Sequence, residues 1–301
     1  MLLTAVIWGF AFVAQRVGME HVGPFTFNAL RFTLGAIVLI PVILLRHRNV
    51  LLRAKRSNLG IPPTTANPMF TAALLSGLAL FGGITFQQIG IIYTTAGKAG
   101  FITGWYVILV PISGALWGQK IGINSWLGAI LATTGLYLLT IAGLFAINRG
   151  DGLVLICALF WTVHVHLIGY YSPRVDTIKL AFLQFAICSI LSLIIALIIE
   201  TNSLSSILKA ALPILYAGCL SVGIAYTLQV VAQRHVPSSH AAIILSLEAV
   251  FAVIGGWLLL NEVLSIIATV GCIFMLSGML LSQIQKYSPL LSAGGKRRGV
   301  K

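Results

Sequence analysis

The sequence predicts an all-α integral membrane protein with ten transmembrane helices in two inverted five-helix repeats. Three observations carry that expectation. Only 8% of the 301 residues are charged and 58% are apolar, whereas a soluble domain carries roughly 25% charged residues. The apolar residues fall into runs of membrane-spanning length, near 20 residues, too long and too little alternated for barrel strands. With no water to bond their backbone groups, such runs must be helical. Finally, the stretch from Trp117 to Gly135 is written twice: Gln119, Gly128 and Gly135 recur 143 positions later as Glu262, Gly271 and Gly278. An internal repeat of this kind decides an architecture, and a unit with five spans must cross the bilayer in opposite senses in its two copies.

The runs cover about 2–19, 25–45, 70–93, 96–117, 121–146, 152–171, 177–199, 210–233, 238–260 and 263–285. The first has no basic segment before it and no small-residue cleavage site after it, so it reads as a span and not as a removed leader. Its abrupt start leaves room for a few residues ahead of Met1. The second carries Arg31 and runs into a basic loop, 46–68, whose Pro62, Pro63 and Pro68 make it the least regular segment. The third holds Thr85, Gln87 and Gln88, the fourth Trp105, and the fifth Gly128 and Gly135, seven apart on nearly one helix face where close helix approach is possible.

The polar connection from Asn148 to Gly152 then separates a first repeat, 1–147, from a second, 152–286, followed by a basic tail, 287–301. Shifting by 153 places Ala5 on Ala158, Trp8 on Trp161, Arg31 on Gln184 and Phe32 on Phe185. In the third span a shift of 142 places Thr85 on Thr227 and Gln87 on Gln229. The ninth span carries Glu248 and the tenth Gly271 and Gly278.

The net charge of +13 invites a nucleic-acid reading, but its distribution argues for a membrane. With the N-terminus in the cytoplasm, fourteen of the 19 Lys and Arg lie on that side, among them Arg46 to Arg56 and the tail, and four of the six acids lie outside. This is the positive-inside bias. Both termini are therefore expected in the cytoplasm, with the basic loop and tail against anionic lipid headgroups and no nucleic-acid partner. Cys157, Cys188, Cys219 and Cys272 all fall within spans without metal-type spacing and read as packing residues. Neither a metal nor a cofactor is expected.

Several residues stand out because membrane interiors disfavour them. Glu248 is the one carboxylate near the middle of a span, and a charge at that depth costs at least several kcal/mol unless it is neutral, solvated or paired. It is a candidate proton or cation site, or else a neutral group bonding a broken helix. His164 and His166 point in different directions; His164 shares a face with Trp161 and is the one expected toward an interior cavity, with plain interhelical bonding as the alternative. Tyr226, Gln229 and Gln233 form a polar stripe, and Gln87 offers a second, both suited to uncharged or zwitterionic groups. Trp8, Trp105 and Trp161 sit mid-span, away from the interfaces where Trp concentrates, and suggest an aromatic cavity wall. Arg31, near the outer end of its span, could pair with Glu20 as a gate or structural contact, snorkel to the interface, or hold a carboxylate.

Taken together, AVIWGFAFVAQR at 5–16, FNALRF at 27–32, SLEAVFAVIGGWLLLNE at 246–262 and the Gly271/Gly278 pair resemble the EamA-type family of drug/metabolite transporters over nearly the whole chain. Gln119 departs from the acid usual in the first copy, and Ala249 from the Pro common after Glu248. The resemblance implies a central cavity lined by the first, third and fourth helices of each half, closed by the second helices, with the fifth at the periphery or at a homodimer contact. It further implies a secondary transporter of a small organic metabolite, such as an amino acid, or of toxic organic compounds. Its expected place is the cytoplasmic membrane of a prokaryote, with export the expected direction. The sequence lacks a Walker-type phosphate loop and the HExxH and GxSxG motifs, which disfavours ATP-driven pumping and an intramembrane enzyme. A noncatalytic scaffold would have little use for interior polar stripes.

Overall fold

Each apolar run is helical, and the helices turn their polar side chains inward and their aliphatic ones outward. The computed structural model describes residues 1–57, 68–119, 121–142, 148–261 and 265–283. Its first five helices are α1 (Leu2–Gly18), α2 (Pro24–Ser57), α3 (Met69–Gly90), α4 (Ala96–Thr103) and α5 (Tyr106–Leu116). Then come α6 (Ile123–Ala142), α7 (Arg149–Tyr171), α8 (Thr177–Ile199), α9 (Leu204–Lys209) and α10 (Ala211–Leu215). An 11-residue π-helical stretch, Tyr216–Tyr226, follows, and then α11 (Thr227–Ala232), α12 (Ser238–Leu245), α13 (Glu248–Leu260) and α14 (Ile266–Gln283). Among the described residues, seven helical stretches are long and apolar enough to cross a membrane: Pro24–Arg46, Met69–Tyr93, Ala96–Leu116, Arg149–Tyr171, Thr177–Ile199, Ala211–Ala232 and Ser238–Leu260. Leu2–Gly18 and Thr269–Ser282 are shorter apolar helices.

Side-chain caps fix several of the helix starts. Thr95 accepts from the backbone N–H of Lys98 at the start of α4, and Asp176 from those of Ile178 and Lys179 at the start of α8. Asn148 and Asp151 form a reciprocal capping box at the start of α7, satisfying two donors that the first turn leaves open. The polar connection read from the sequence as a boundary is thus a helix start.

One expectation is corrected here. The basic segment after Arg46, read as part of an irregular loop, continues α2 to Ser57; Arg, Lys and Leu are good helix formers, and no proline interrupts before Pro62. Residues 58–67, Lys120, Glu262 and the tail lie outside the described residues.

Helices pack in pairs that join early and late parts of the chain: α1 with α13, α2 with α8, α3 with α7, and α6 with α14. Gly128 and Gly278 show why the last pair needs glycine: a Cβ on either would lie 2.6 Å from the other's carbonyl oxygen. Gly135 meets the carbonyl of Gly271 in the same way. The glycine faces of α6 and α14 are therefore used inside the chain. Around the periphery, Phe70, Leu197, Ile198 and Leu212 are each more than 70% exposed, as expected of side chains facing lipid. The interior holds Gln15, Asn28, Arg31, Gln87, Gln88, His164, Gln184, Gln229 and Glu248, all buried.

Candidate functional site

Two interrupted helices shape the centre of the molecule. Between α4 and α5 the ladder tightens: Trp105 N–H bonds the carbonyl of Ile102 and Val107 N–H that of Gly104. Between α12 and α13 the same pattern appears, Leu247 to Ile244 and Ala249 to Ser246. The interruptions fall within one residue of each other in the repeat register. Each starts a new half-helix mid-span, with Tyr106 and Glu248 as first residues. A helix N-terminus carries partial positive charge, so Glu248 sits where a carboxylate is favoured.

These two residues meet. Tyr106 donates its hydroxyl to Glu248 Oε1 at 3.1 Å, and both line a cavity with about 400 Å³ of empty space, its open mouth included. The wall has an aromatic side, with Trp8 4.5 Å from Tyr226 and 6.0 Å from Trp161 between ring centroids, and Trp161 stacked on Tyr226 at 5.7 Å. Gln15, Arg31, Gln87 and Gln229 supply its remaining polar side chains. Trp8 Nε1 donates to the carbonyl of Ser221 at 3.4 Å, a carbonyl in the π-helical stretch. Such stretches are rare and occur often at functional sites.

Unused hydrogen-bonding capacity marks this wall. Gln15 Oε1, Arg31 Nε and Nη2, Trp161 Nε1 and Gln229 Oε1 are buried without a partner, whereas buried polar groups are normally bonded. Gln87 Nε2 reaches Thr103 Oγ1 at 3.3 Å. Gln229 Nε2 donates to Gln233 Oε1 at 3.0 Å, and Gln233 Nε2 to the carbonyl of Val165. The polar stripe on the eighth apolar run therefore divides, with Tyr226 and Gln229 in the cavity wall and Gln233 tying α11 to α7.

Of the residues singled out from the sequence, the cavity gathers Trp8, Gln87, Trp161, Tyr226, Gln229, Glu248 and Arg31. Trp105 is not among them. It falls at the turn between two half-helices, which swings its ring outward to 40% exposure and gives the inward position to Tyr106. His164 is fully buried behind Trp161, edge-on to it at 5.4 Å and bonded through Nε2 to Gln184 Oε1 at 2.9 Å, so it braces the wall and does not form it. His166 bonds Ser113 Oγ at 2.9 Å. Glu20 is exposed in the turn after α1, and among the described residues it forms no ion pair with Arg31. Arg31 is 1% exposed on a face of α2 shared with Phe27 and Phe32, so it neither snorkels nor gates with Glu20. The acid at this end of α2 is Glu200, which accepts from the backbone N–H groups of Phe25 and Thr26 at 2.8 Å each.

Two cavity residues escaped the sequence reading. Gln15 lies seven residues after Trp8, two turns along the same face of α1, and that spacing could have found it. Tyr106 follows Trp105, and only the helix interruption decides which of the two rings turns inward. Among the described residues, no group of three or more His, Cys, Asp or Glu is placed to hold a metal.

The model of the EamA-like transporter family matches this chain twice, over residues 1–141 and 148–283. An uncharacterized transporter of Archaeoglobus fulgidus is 31% identical over 95% of this chain and 85% of its own length. The uncharacterized transporter YoaV of Bacillus subtilis is 23% identical over 94% of both chains. A solved crystal structure superposes with a TM-score of 0.68 over 93% of this chain and 98% of its own, at 20% identity; a likeness at that identity shows the fold alone.

Proposed function

This chain belongs to the EamA-like transporter family, and on that premise we propose that it is a secondary transporter exporting a small organic metabolite, such as an amino acid, by alternating access. The observation that carries the reading is the central cavity: its wall combines aromatic faces, unpaired polar atoms and Glu248, drawn from both halves of the chain and set at two interrupted helices. Midplane sites built on broken helices between two repeats are how many secondary transporters bind cargo.

Ten spans in two inverted repeats, bounded near 1–147 and 152–286, are supported by the way equivalent positions meet. Trp8 faces Trp161 and Phe32 faces Phe185, each pair at 6.0 Å. Gly128 crosses Gly278 while Gly135 crosses Gly271, the reciprocal pattern that a pseudo-two-fold axis produces. Placement in the cytoplasmic membrane of a prokaryote, with both termini inside, is supported by the Lys and Arg distribution and by archaeal and bacterial relatives. In this reading Glu248 carries the coupling proton, and Tyr106 holds its carboxyl in place.

Proteoliposomes test the proposal. Purified protein should catalyse counterflow of at least one solute from an amino-acid and metabolite panel, and an imposed pH gradient should drive net movement. Failure of a folded, correctly inserted preparation to move any organic solute would count against transport itself.

A further inference from the structure

We infer that Arg31 is the anion-binding group of the cavity and that the cargo is a small zwitterion, its carboxylate held by Arg31 and its ammonium group by Glu248. The inference rests on the transport reading above and names the class of solute that site takes.

Arg31 is buried to 1% exposure on a membrane-spanning helix, lines the cavity, and leaves Nε and Nη2 without any hydrogen-bond partner. Its guanidinium rests 5.5 Å and 5.2 Å from the ring centres of Phe27 and Phe32, contacts that orient it without neutralising it. The other acids are engaged elsewhere: Asp151 with Lys98, Asp176 with Arg46, Glu200 with the start of α2, and Glu248 with Tyr106. Glu20 is exposed and Glu262 lies outside the described residues. A buried charge without a partner is strongly unfavourable, and arginine cannot escape by losing its proton. An anionic group entering the cavity would supply the missing bonds.

The shape and setting of this group select the anion. A guanidinium presents paired donors that match the two oxygens of a carboxylate. No other Lys or Arg lines the cavity, and its one acid, Glu248, would repel a dianion such as phosphate. The same acid, in the opposite half of the chain, is suited to an ammonium group, and Trp8, Trp161 and Tyr226 offer cation–π faces beside it. A zwitterion would thus bridge α2 of the first half and α13 of the second. The repeat itself points to this asymmetry, since Arg31 overlays Gln184 and Glu248 overlays Trp105.

The test uses the full chain in nanodiscs, read by calorimetry, after screening the twenty proteinogenic amino acids to find the tightest binder. That amino acid is then compared with its decarboxylated amine; for leucine the amine is 3-methylbutylamine. The amino acid is expected to bind the wild type at least about 10-fold more tightly than the amine, the order of a charge-assisted bidentate contact. Arg31→Gln should erase that difference by weakening the amino acid alone, and Arg31→Lys should restore part of it, which also controls for a folding defect. Equal binding of amine and amino acid to the wild type overturns the inference, as does an equal loss of both in Arg31→Gln, tighter binding of phosphoethanolamine than of any amino acid, or no binding by any of the twenty. Counterflow of the amine in proteoliposomes separates the two claims: if amines move and amino acids do not, transport stands and the carboxylate site fails, whereas movement of neither, nor of any other organic solute, removes both.

Discussion

Tyr106 and Glu248 are each the first residue of the second half of an interrupted helix, and their side chains meet at 3.1 Å across the central cavity. The pairing joins the two halves of the chain through one hydrogen bond at the depth where a charge is most costly. It also keeps Glu248 at a helix start, where partial positive charge favours a carboxylate.

Replacing Glu248 with Gln keeps the volume and a hydrogen-bonding partner for Tyr106 but removes the titratable group. Solute exchange in proteoliposomes should persist while stimulation by a pH gradient disappears. Stimulation equal to the wild type would remove Glu248 from the coupling step. Tyr106→Phe should leave coupling in place and lower unfolding stability by about 1–3 kcal/mol, the range for a lost bond to a buried polar group.

The aromatic wall gives a contrast between three tryptophans of similar sequence context. Trp8→Phe and Trp161→Phe should weaken solute binding by about 3- to 10-fold, because ring pairs contribute roughly 0.5–1.5 kcal/mol beyond their buried area. Trp105→Phe, on the outward face, should stay within about twofold of wild type, a range in which exposed substitutions usually fall. Counterflow KM values for the three variants decide the point.

His164 is expected to act on stability and not on affinity. His164→Ala leaves Gln184 buried without its 2.9 Å partner, a loss of about 1–3 kcal/mol to be read from thermal unfolding in detergent. KM should be unchanged. A variant with normal stability and altered KM would place the imidazole in the cavity instead of behind it.

At the α6–α14 crossing, Gly128→Val and Gly278→Val should each destabilise by about 1–3 kcal/mol through overpacking. Since each new side chain strikes the other helix at the same crossing, their effects should not add. Additive losses would mean that the two glycines do not share one contact.

Much of this architecture could be read from the chain before folding. Hydrophobic run lengths located the helices because a membrane span must satisfy its own backbone and present apolar side chains to lipid, and both demands are local. The cavity was partly legible for the same reason: Trp8, Trp161, Gln87, Gln229 and Glu248 are costly or unusual at mid-span, and all turn inward. Legibility failed where orientation depends on a break in the helix. Trp105 and Tyr106 are neighbours with similar rings, and a tightened turn sends one outward and the other to Glu248. It failed again at Arg31, whose nearest acid along the chain, Glu20, is not its neighbour in space.

Sequence alone determined the membrane-helical class, the doubled unit and the list of residues too polar or too aromatic to face lipid, because each is a property of composition and periodicity along one chain. The tertiary structure decided which of those residues share a cavity, that His164 stands behind its wall, and that Arg31 lies buried with two donors unpaired. Those outcomes depend on how α2 packs on α8 and where α4 and α12 stop, which are set by contacts between segments more than a hundred residues apart.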